Sequence, residues 1–260
     1  MLETIVARRR EDARRAAALV PEAELRRMAA GLSRRSLRSA LAEASGTRII
    51  AEMKRASPSA GALRELDPAA MARCYEESGA CALSVLTEPN WFKGAESDMR
   101  LARDAVNIPV LRKDFVVEPY QVLETAAWGA DVVLLIVAAM DAARLRDLYD
   151  MAVGLGLDVL AEAHTEPELD LAVSLPDAVV GVNSRDLKTL KTDLRTAVRL
   201  AAMIPRDRPA VAESGIRTRA DILTLEAAGY RGFLIGETLM QAIDPGQVLR
   251  ELVGETPTQE

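Results

Sequence analysis

The sequence predicts a single (β/α)8 barrel of the α/β class, preceded by a helical extension at the N-terminus. From residue 48 onward, a short apolar and β-branched run, a polar or glycine-containing loop and an amphipathic helical stretch follow one another eight times. The runs begin about 20–33 residues apart, which is the size of one strand and its crossover helix. Because parallel strands need such crossovers and bury both sheet faces, eight units indicate a closed TIM barrel of about 250 residues.

Each predicted strand is followed by the signals that helices show at their ends. Asp67 and Asp141 have side chains that can cap helix N-termini, and Gly79, Gly129 and Gly229 stand where helices should end. An open doubly wound sheet is the alternative architecture, but the loop after the first strand lacks the G-x-G-x-x-G signature and also lacks a P-loop. The predicted strands are residues 48–53, 81–86, 109–113, 132–137, 158–162, 178–183, 210–213 and 232–236.

Residues 1–47 form a separate module that precedes the barrel of residues 48–260. This segment holds 10 Arg against 6 acidic residues, whereas the whole chain has a net charge of −6. Its apolar residues recur at mostly helical spacing, which predicts two amphipathic helices broken near Pro21. A nucleic-acid-binding arm is the alternative. Since the segment contains no aromatic residue for base stacking, we expect helices packed on the barrel and no nucleic-acid partner.

The composition excludes several classes of protein. With 49% hydrophobic and 28% charged residues, the chain can bury a core and is not disordered. One histidine and two cysteines exclude a His–Cys metal cage, and no apolar stretch reaches the roughly 20 residues that span a bilayer. We therefore expect a cytoplasmic monomer or weak homodimer without a metal or membrane partner, in which Cys74 and Cys81 are reduced packing residues.

Polar residues end several of the predicted strands, and in such barrels the active site lies at the carboxyl ends of the strands. Side chains alternate along a strand, so Glu52 and Lys54 should point to the same side while Met53 points to the helices. Charged strand ends can simply face solvent, but the amino ends of these strands carry no comparable cluster. We expect the following residues to meet at one mouth: Glu52, Lys54, Lys113, Glu162, Asn183, Arg185 and Glu213.

The small number of lysines and their positions support this prediction. The chain has only five lysines against 28 arginines, and two of the five, Lys54 and Lys113, stand at strand ends. Arginine stays protonated, whereas a lysine that is partly desolvated among other charges can have its pKa lowered enough to exchange a proton. Lys54 and Lys113 are therefore candidates for proton transfer, with a chance placement as the alternative.

Two glycine-containing loops predict a phosphate site. Ser214 and Gly215 follow the seventh strand, while Gly236 and Glu237 follow the eighth strand and open a helix. In these barrels the two corresponding loops commonly bind phosphate through backbone N–H groups and a helix N-terminus. A small phosphorylated substrate is therefore expected, with the side chain of Glu237 pointing away from the anion.

Three further residues near the predicted mouth are ambiguous. His164 has the same strand parity as Glu162, but a single histidine just past a strand end is more often a loop residue, so we assign it no role. Trp91 and Phe92 lie in the loop after the second strand. They either shelter an aromatic ligand or pack as hydrophobic residues on the barrel rim.

Five segments match, in order, the motifs of one known family. They read IAEMKRASPS at 50–59, LSVLTE at 83–88, LRKDF at 111–115, GVNSRDL at 181–187 and AESGI at 212–216. Together with the helical extension, which in that family folds over the catalytic face, they resemble the indole-3-glycerol phosphate synthase family along essentially the whole chain. Two small departures are Ala60, where a lysine is frequent, and Ala95, where a serine is common after glycine.

The resemblance implies a carbon–carbon carboxy-lyase of tryptophan biosynthesis that needs no cofactor. Its substrate, 1-(2-carboxyphenylamino)-1-deoxyribulose 5-phosphate, undergoes ring closure onto the ketone, decarboxylation and dehydration to indole-3-glycerol phosphate. By this resemblance Lys113 is the general acid of ring closure and Lys54 holds the departing carboxylate. Glu162 serves the dehydration, with Glu52 tuning or relaying protons.

The resemblance also implies which residues bind the substrate. Asn183 and Arg185 would hold its hydroxyl and acidic groups, and Glu213 would orient a cation. Phe115 would pack near the aromatic ring, with Ser57 in the loop that closes over it. The phosphate site would comprise Ser214, Gly215, Leu234, Gly236 and Glu237.

Two other functions stay open from the sequence. An aldolase on the same barrel would use a strand-end lysine such as Lys113 as a Schiff-base nucleophile rather than as a proton donor. The second alternative is a degenerate barrel without enzymatic activity, and the intact charges at the strand ends argue against it.

Overall fold

The structure, a computed structural model, describes residues 1–42, 46–58, 61–63, 65–187 and 189–254, so the departure at Ala60 lies outside the described residues. Eight parallel strands close into a barrel in which each strand pairs with the next and the eighth pairs with the first. The predicted (β/α)8 barrel is confirmed, with strand bounds within about one residue of those expected. The strands are β1 (Arg48–Met53), β2 (Ala80–Leu86), β3 (Val110–Lys113), β4 (Val132–Ile136), β5 (Asp158–Ala163), β6 (Val179–Asn183), β7 (Ala210–Glu213) and β8 (Gly232–Ile235).

Helices cover the outside of the barrel and make up most of the first 42 residues. The side chains of Asp67 and Asp141 accept hydrogen bonds from backbone N–H groups in the first turns of their helices, so both predicted caps are confirmed. The helices are α1 (Leu2–Leu19), α2 (Glu22–Ala29), α3 (Leu37–Ala42), α4 (Pro68–Glu77), α5 (Glu96–Ala105), α6 (Pro119–Ala127), α7 (Ala142–Gly154), α8 (Glu166–Ser174), α9 (Arg195–Ala201), α10 (Arg219–Ala228), α11 (Glu237–Gln241) and α12 (Pro245–Val253).

The alternation of side chains along the strands separates two apolar cores. In β1, Ile49, Ala51 and Met53 pack outward in the layer between sheet and helices, whereas Ile50 points into the barrel. The next inward position toward the carboxyl end is Glu52, which therefore reaches the mouth. The inner core contains Ile50, Ala82, Leu111, Val132, Leu134, Ile136, Leu160, Val179, Val211 and Leu234, together with Leu37 and Leu41 of the extension.

The described part of the N-terminal extension, residues 1–42 and 46–47, contains three helices rather than the predicted two. The third, α3, places Leu37 and Leu41, which are 0% and 3% exposed, against the inner core, and Leu41 packs beside Gly232 at the amino end of β8. A six-residue helix is too short to form on its own propensity, so the barrel that it seals must stabilise it. The start of α1 lies at the opposite, carboxyl end of the barrel. The division into residues 1–47 and 48–260 stays a prediction.

A buried ion-pair network joins α1 to the end of β3. Arg9 is 7% exposed and donates from Nε and Nη2 to the two carboxylate oxygens of Asp114, at 2.9 and 2.8 Å. Asp114 also accepts from Arg112 Nη2 at 2.9 Å and from Thr87 Oγ1 at 2.8 Å. Burial alone would raise the pKa of Asp114, but the charges of Arg9 and Arg112 outweigh burial and lower the pKa to about 2.

Replacing Arg9 with methionine should lower the free energy of unfolding by about 2–4 kcal/mol, because the buried carboxylate of Asp114 loses one of its two guanidinium partners. Urea unfolding followed by circular dichroism measures this loss. The matched control is Arg10→Met, which removes an arginine of the same helix that is 44% exposed and lies 3.5 Å from Glu118. The control should change stability by less than about 0.5 kcal/mol, and equal midpoints for the two variants would contradict the prediction.

The same ion pair should make stability depend on acid pH. The pKa of Asp114 is about 2 in the folded protein and about 3.9 in an unfolded chain. Its stabilisation is therefore fully present above about pH 4 and is lost as the pH falls toward 2. Arg9→Met raises the folded-state pKa, so urea midpoints recorded from pH 5 to pH 2 should fall less in this variant than in the wild type. A steeper fall in the variant would contradict the assignment.

Candidate active site

A cavity of about 940 Å³ lies at the carboxyl ends of the strands. Its volume suits a small-molecule substrate, and inner-core side chains such as Leu134 and Ile136 contribute to its lining. The structure brings every candidate site residue of the sequence to this one cavity. These residues are Glu52, Lys54, Ser57, Lys113, Phe115, Glu162, Asn183, Arg185, Glu213, Ser214, Gly215, Leu234, Gly236 and Glu237.

Lys113 lies at the centre of the charged part of the cavity. Its Nζ is 2.6 Å from Glu162 Oε2 and 3.3 Å from Glu213 Oε2. Lys113, Glu162 and Glu213 come from the ends of β3, β5 and β7, and Glu52 takes the same inward position near the end of β1. Side chains from alternate strands form one layer in barrels of this kind, which explains how residues so distant in the chain meet.

The expected lowering of the pKa of Lys113 is wrong. Burial alone would lower this pKa, but the charges on Glu162, Glu213 and Glu52 outweigh burial and raise it above the usual value for lysine. The linear sequence indicates that Lys113 is desolvated among charges, but it does not show which charges lie nearest to the ammonium. Because the nearest ones are carboxylates, Lys113 is a firmly protonated ammonium before substrate binds.

The two carboxyl groups that contact Lys113 differ in their titration. Burial raises the pKa of Glu213 to about 8, with the charge of Glu162 adding to the rise and that of Lys113 opposing it. In Glu162 burial is outweighed by Lys113 and by His164, and the pKa lies well below its usual range. At neutral pH Glu162 is therefore ionised while Glu213 is protonated much of the time. Neighbouring carboxyl groups with separated pKa values can divide the roles of acid and base.

Glu52 and Lys54 form a second charged pair at the end of β1. Lys54 Nζ donates to Glu52 Oε1 at 2.7 Å, and Ser84 Oγ lies 3.4 Å from Glu52 Oε2. As predicted, both side chains reach the cavity while Met53 packs outward. A Cβ at Gly236 would overlap the carboxylate of Glu52, so glycine at this position leaves room for the pair.

The two glycine-containing loops form one wall of the cavity. Ser214 and Gly215 both have left-handed backbone conformations, with φ of +65° and +82°. Such a conformation strains a serine and suits a glycine, and a Cβ at Gly215 would also lie 2.5 Å from Thr192 Cγ2. Thr238 Oγ1 donates to the carbonyl oxygen of Ile216 at 2.7 Å, which ties the loop after β7 to α11.

Arg185 lies beside this wall and contradicts one expectation about Glu237. Arg185 Nη2 donates to Glu237 Oε2 at 2.9 Å, and the Arg185 backbone N–H donates to Asn183 Oδ1 at 3.0 Å. The side chain of Glu237 therefore lines the cavity instead of turning away from it. The guanidinium balances the carboxylate charge, which explains how Glu237 can lie beside a predicted anion site.

Aromatic side chains form another part of the wall. Phe92 and Phe115 both line the cavity, with ring centroids 6.1 Å apart. The fully buried carboxylate of Glu88 accepts backbone hydrogen bonds from Trp91 at 2.7 Å and from Phe92 at 3.1 Å, and so shapes the loop after β2. Of the two loop aromatics, Phe92 is the one placed to contact a ligand.

Sequence reasoning missed three contributions to this site. Met1, Leu2 and Ile5 of the extension line the cavity, although the helical pattern alone did not show which end of the barrel they face. Thr192, in the loop after β6, pairs with Arg185 across an isolated bridge. His164 lies against Glu162, and its strand parity was the signal that could have placed it there.

The part of the chain that the structure describes contains no group of three or more His, Cys, Asp or Glu side chains arranged to hold a metal ion. Among the same residues, no helix is both long and apolar enough to pass through a bilayer. Cys74 and Cys81 are both half-buried and not bonded to each other, and Cys81 packs against the inner core.

Two solved structures illustrate the similarity of the fold to known barrels. Thiamine phosphate pyrophosphorylase from Pyrococcus furiosus aligns with a TM-score of 0.60 and 18% identity, over 84% of this chain and 96% of its own length. A native KDPGal structure aligns with a TM-score of 0.57 and 18% identity, over 81% of this chain and 95% of its own. At this level of identity the two structures show a shared fold and nothing about activity.

The family comparison is much more specific. The sequence model of the indole-3-glycerol phosphate synthase family matches residues 2–252, from the start of the extension to the last helix of the barrel. This match covers the five segments that carry the resemblance in the sequence. The chain therefore belongs to the indole-3-glycerol phosphate synthase family, whose members are carboxy-lyases of tryptophan biosynthesis.

Proposed function

We propose that the residues at the barrel mouth divide the steps of the family's reaction among them. The substrate is 1-(2-carboxyphenylamino)-1-deoxyribulose 5-phosphate, and the aromatic carbon that bears its carboxylate attacks the ketone to close a five-membered ring. Loss of carbon dioxide then restores the aromaticity of the six-membered ring. Loss of water forms the C2–C3 double bond in the five-membered ring of the indole. Each step needs a charge or a proton at a defined place in the cavity.

Ring closure requires an acid beside the ketone oxygen, where negative charge builds as the new bond forms. We assign this role to Lys113, which is protonated, contacts Glu162 and Glu213, and has a side chain only 13% exposed. Its ammonium state favours proton donation over the aldolase alternative, because a protonated lysine has no lone pair with which to attack a carbonyl.

Decarboxylation requires a cation that holds the substrate carboxylate until the carbon–carbon bond breaks. Lys54 suits this role because its ammonium lies at the cavity wall, oriented by Glu52 at 2.7 Å. As carbon dioxide leaves, the electron pair of the broken bond passes into the ring system. The ion pair with Glu52 then balances the charge of Lys54, and the two side chains are only 6% and 11% exposed.

Dehydration requires a base for the proton that leaves the ring and an acid for the departing hydroxyl group. Glu162 takes the ring proton in this proposal, because it stays ionised at neutral pH. The departing hydroxyl group takes a proton from Lys113, which regains one after ring closure from Glu213, 3.3 Å away and protonated much of the time, so that water leaves. Glu213, on the far side of Lys113, orients the ammonium. Glu52 tunes or relays protons beside Lys54.

The remaining residues hold the substrate in place. Backbone groups of the two glycine-containing loops would bind the phosphate, and Asn183 and Arg185 would bind hydroxyl and acidic groups. Phe115, with Phe92 beside it, would pack against the aromatic ring, and Ser57 would contribute from the loop that follows β1. The loop residues proposed for the phosphate are Ser214, Gly215, Leu234, Gly236 and Glu237.

The observation that carries this proposal is the contact of Lys113 with Glu162 and Glu213 inside the cavity that also contains both glycine-containing loops. A proton donor, a base and a candidate phosphate wall thus share one space. The proposed active form is a monomer or weak homodimer. The proposed location is the cytoplasm, where the two thiols would stay reduced.

The direct test is to incubate the purified full chain with the carboxyphenylamino deoxyribulose phosphate and follow the fluorescence of the indole product. We expect a steady rise that depends on enzyme concentration. A chain that binds the substrate without forming indole would overturn the proposed division of steps.

Replacing Lys113 with alanine should lower kcat by at least about 100-fold, with a much smaller change in KM, because a general acid acts mainly in the transition state. Lys113→Arg should not restore the rate, since a guanidinium does not readily release its proton. Steady-state kinetics with the same fluorescence assay measure both variants. The matched control is Lys93→Ala, at an exposed lysine in the loop after β2, which should retain wild-type rates. Full activity in Lys113→Arg, or a borohydride-trapped adduct on Lys113, would remove it from this role.

Replacing Gly215 with alanine should raise KM by at least about fivefold and leave kcat less affected, because the added Cβ strains the loop that we propose binds the nonreacting phosphate. The matched control is Gly229→Ala, at a glycine that also has positive φ but caps α10 away from the cavity. Competitive inhibition by inorganic phosphate should weaken in the first variant only. Unchanged inhibition in Gly215→Ala would count against this wall as the phosphate site.

A further inference from the structure

His164 is a buried charged side chain that the proposed steps do not use. It is the only histidine of the chain and directly follows β5, with a side chain that is 9% exposed. Glu168 in the first turn of α8 holds it from one side. Its carboxylate oxygen Oε2 lies 3.1 Å from His164 Nδ1 and accepts the backbone N–H of His164 at 2.8 Å.

The second ring nitrogen of the imidazole points toward the cluster of Lys113, Glu162 and Glu213. His164 Nε2 lies 3.3 Å from Glu162 Oε1, while Glu162 Oε2 accepts from Lys113 Nζ at 2.6 Å. The two oxygens of this carboxylate therefore face two different cations, one on each side. The four residues form a continuous row, Glu168, His164, Glu162 and Lys113, that runs from α8 into the cavity.

Charge decides the state of the imidazole in this row. Burial alone would lower the pKa of His164, but the adjacent carboxylates of Glu162 and Glu168 outweigh burial and raise it to about 9. Lys113 on β3 and Glu213 on β7 face the same cluster beyond Glu162. At neutral pH the imidazole is therefore an imidazolium, which can bind Glu162 as a second cation.

The position of this second cation matters for the reaction. When Lys113 gives its proton to the substrate, Glu162 loses the charge that held its Oε2 in place. A carboxylate with no other partner would then be free to move or to take up a proton too early. The imidazolium on Oε1 keeps a cationic partner beside the carboxylate through that step.

We propose that His164 is a positioning residue, which Glu168 holds so that the imidazolium keeps Glu162 ionised and aligned beside Lys113 throughout the reaction. This inference rests on the proposed role of Glu162 as the base. It assigns a function to a residue for which the sequence suggested only a place in a loop, and it extends the site outward to α8.

The first test reads the imidazole directly. In untagged full-length protein with 13C-labelled histidine, the one Cε1–H resonance reports on His164 alone. We expect its titration midpoint near pH 9 in the wild type and at least about one pH unit lower in Glu168→Gln, closer to the ordinary histidine value of about 6.5. A wild-type midpoint at or below 6.5 would overturn the inference, and this measurement needs no activity.

The second test reads the effect on catalysis. His164→Gln and Glu168→Gln should each lower kcat at least about tenfold while KM stays within about twofold, because misplacing the base affects the chemical step more than binding. The matched control is Glu166→Gln, an exposed glutamate of the same helix that pairs with Arg199, and it should retain wild-type rates. Glu168→Gln keeps the test valid should the histidine variant fold poorly.

The pH profile separates positioning from a purely structural role. Glu213 has a pKa of about 8 and titrates in every variant, so the difference between the profiles of wild type and His164→Gln reports on the imidazole. We expect the wild type to show an additional loss of kcat above about pH 9, where the imidazolium loses its proton, and His164→Gln to lack that loss. Identical profiles would overturn the inference.

The two proposals fail in distinguishable ways. If Glu162→Gln abolishes activity while His164→Gln retains wild-type kcat, the role of His164 is wrong and the proposed base stands. If Glu162→Gln itself retains wild-type kcat, the proposed base is wrong and the positioning role falls with it, whatever the midpoint of the imidazole resonance.

Discussion

The structure of the cavity depends on one layer of charged side chains at the ends of alternate strands. Glu52, Lys113, Glu162 and Glu213 take inward positions at the ends of β1, β3, β5 and β7, and three of the four are carboxylates. Three buried carboxyl groups near one another would be very unfavourable without cations, and Lys113 supplies one beside Glu162 and Glu213 while Lys54 pairs with Glu52. The carboxylates raise the pKa of Lys113. Burial and the charge of Glu162 raise the pKa of Glu213, whereas Lys113 and His164 lower that of Glu162.

The layer also needs space and a fixed frame. A Cβ at Gly181, within β6, would overlap the carboxylate of Glu213, as one at Gly236, just after β8, would overlap that of Glu52, so these two glycines make room for the carboxylates. Asp114, the residue after Lys113, holds the end of β3 in place. Asp114 has the opposite parity to Lys113 and is bound by Arg112 and by Arg9 of the extension. The extension is thus attached directly beside Lys113, the proposed general acid.

The extension contacts the barrel at both ends. This placement cannot be inferred from any one segment of its sequence. Its first helix contributes Ile5 to the cavity lining, and its third helix places Leu37 and Leu41 against the inner core at the amino end. Arginines with similar sequence surroundings have different positions: Arg9 is buried against Asp114, while the side chain of its neighbour Arg10 is 44% exposed. Neighbouring residues of a helix point in different directions, and only the packing decides which of them meets the barrel.

The sequence by itself determined the barrel, its strands to within about a residue, and the polar strand-end residues that reach the cavity, because side-chain alternation and the strand-helix repeat are local properties. Tertiary structure decided what those residues do to one another. The raised pKa of Lys113, the pairing of Glu237 with Arg185, the third helix of the extension and the place of His164 beside Glu162 all depend on contacts between distant segments. Electrostatic interactions depend on distance in space and on burial, and neither quantity is present in a linear pattern of residues.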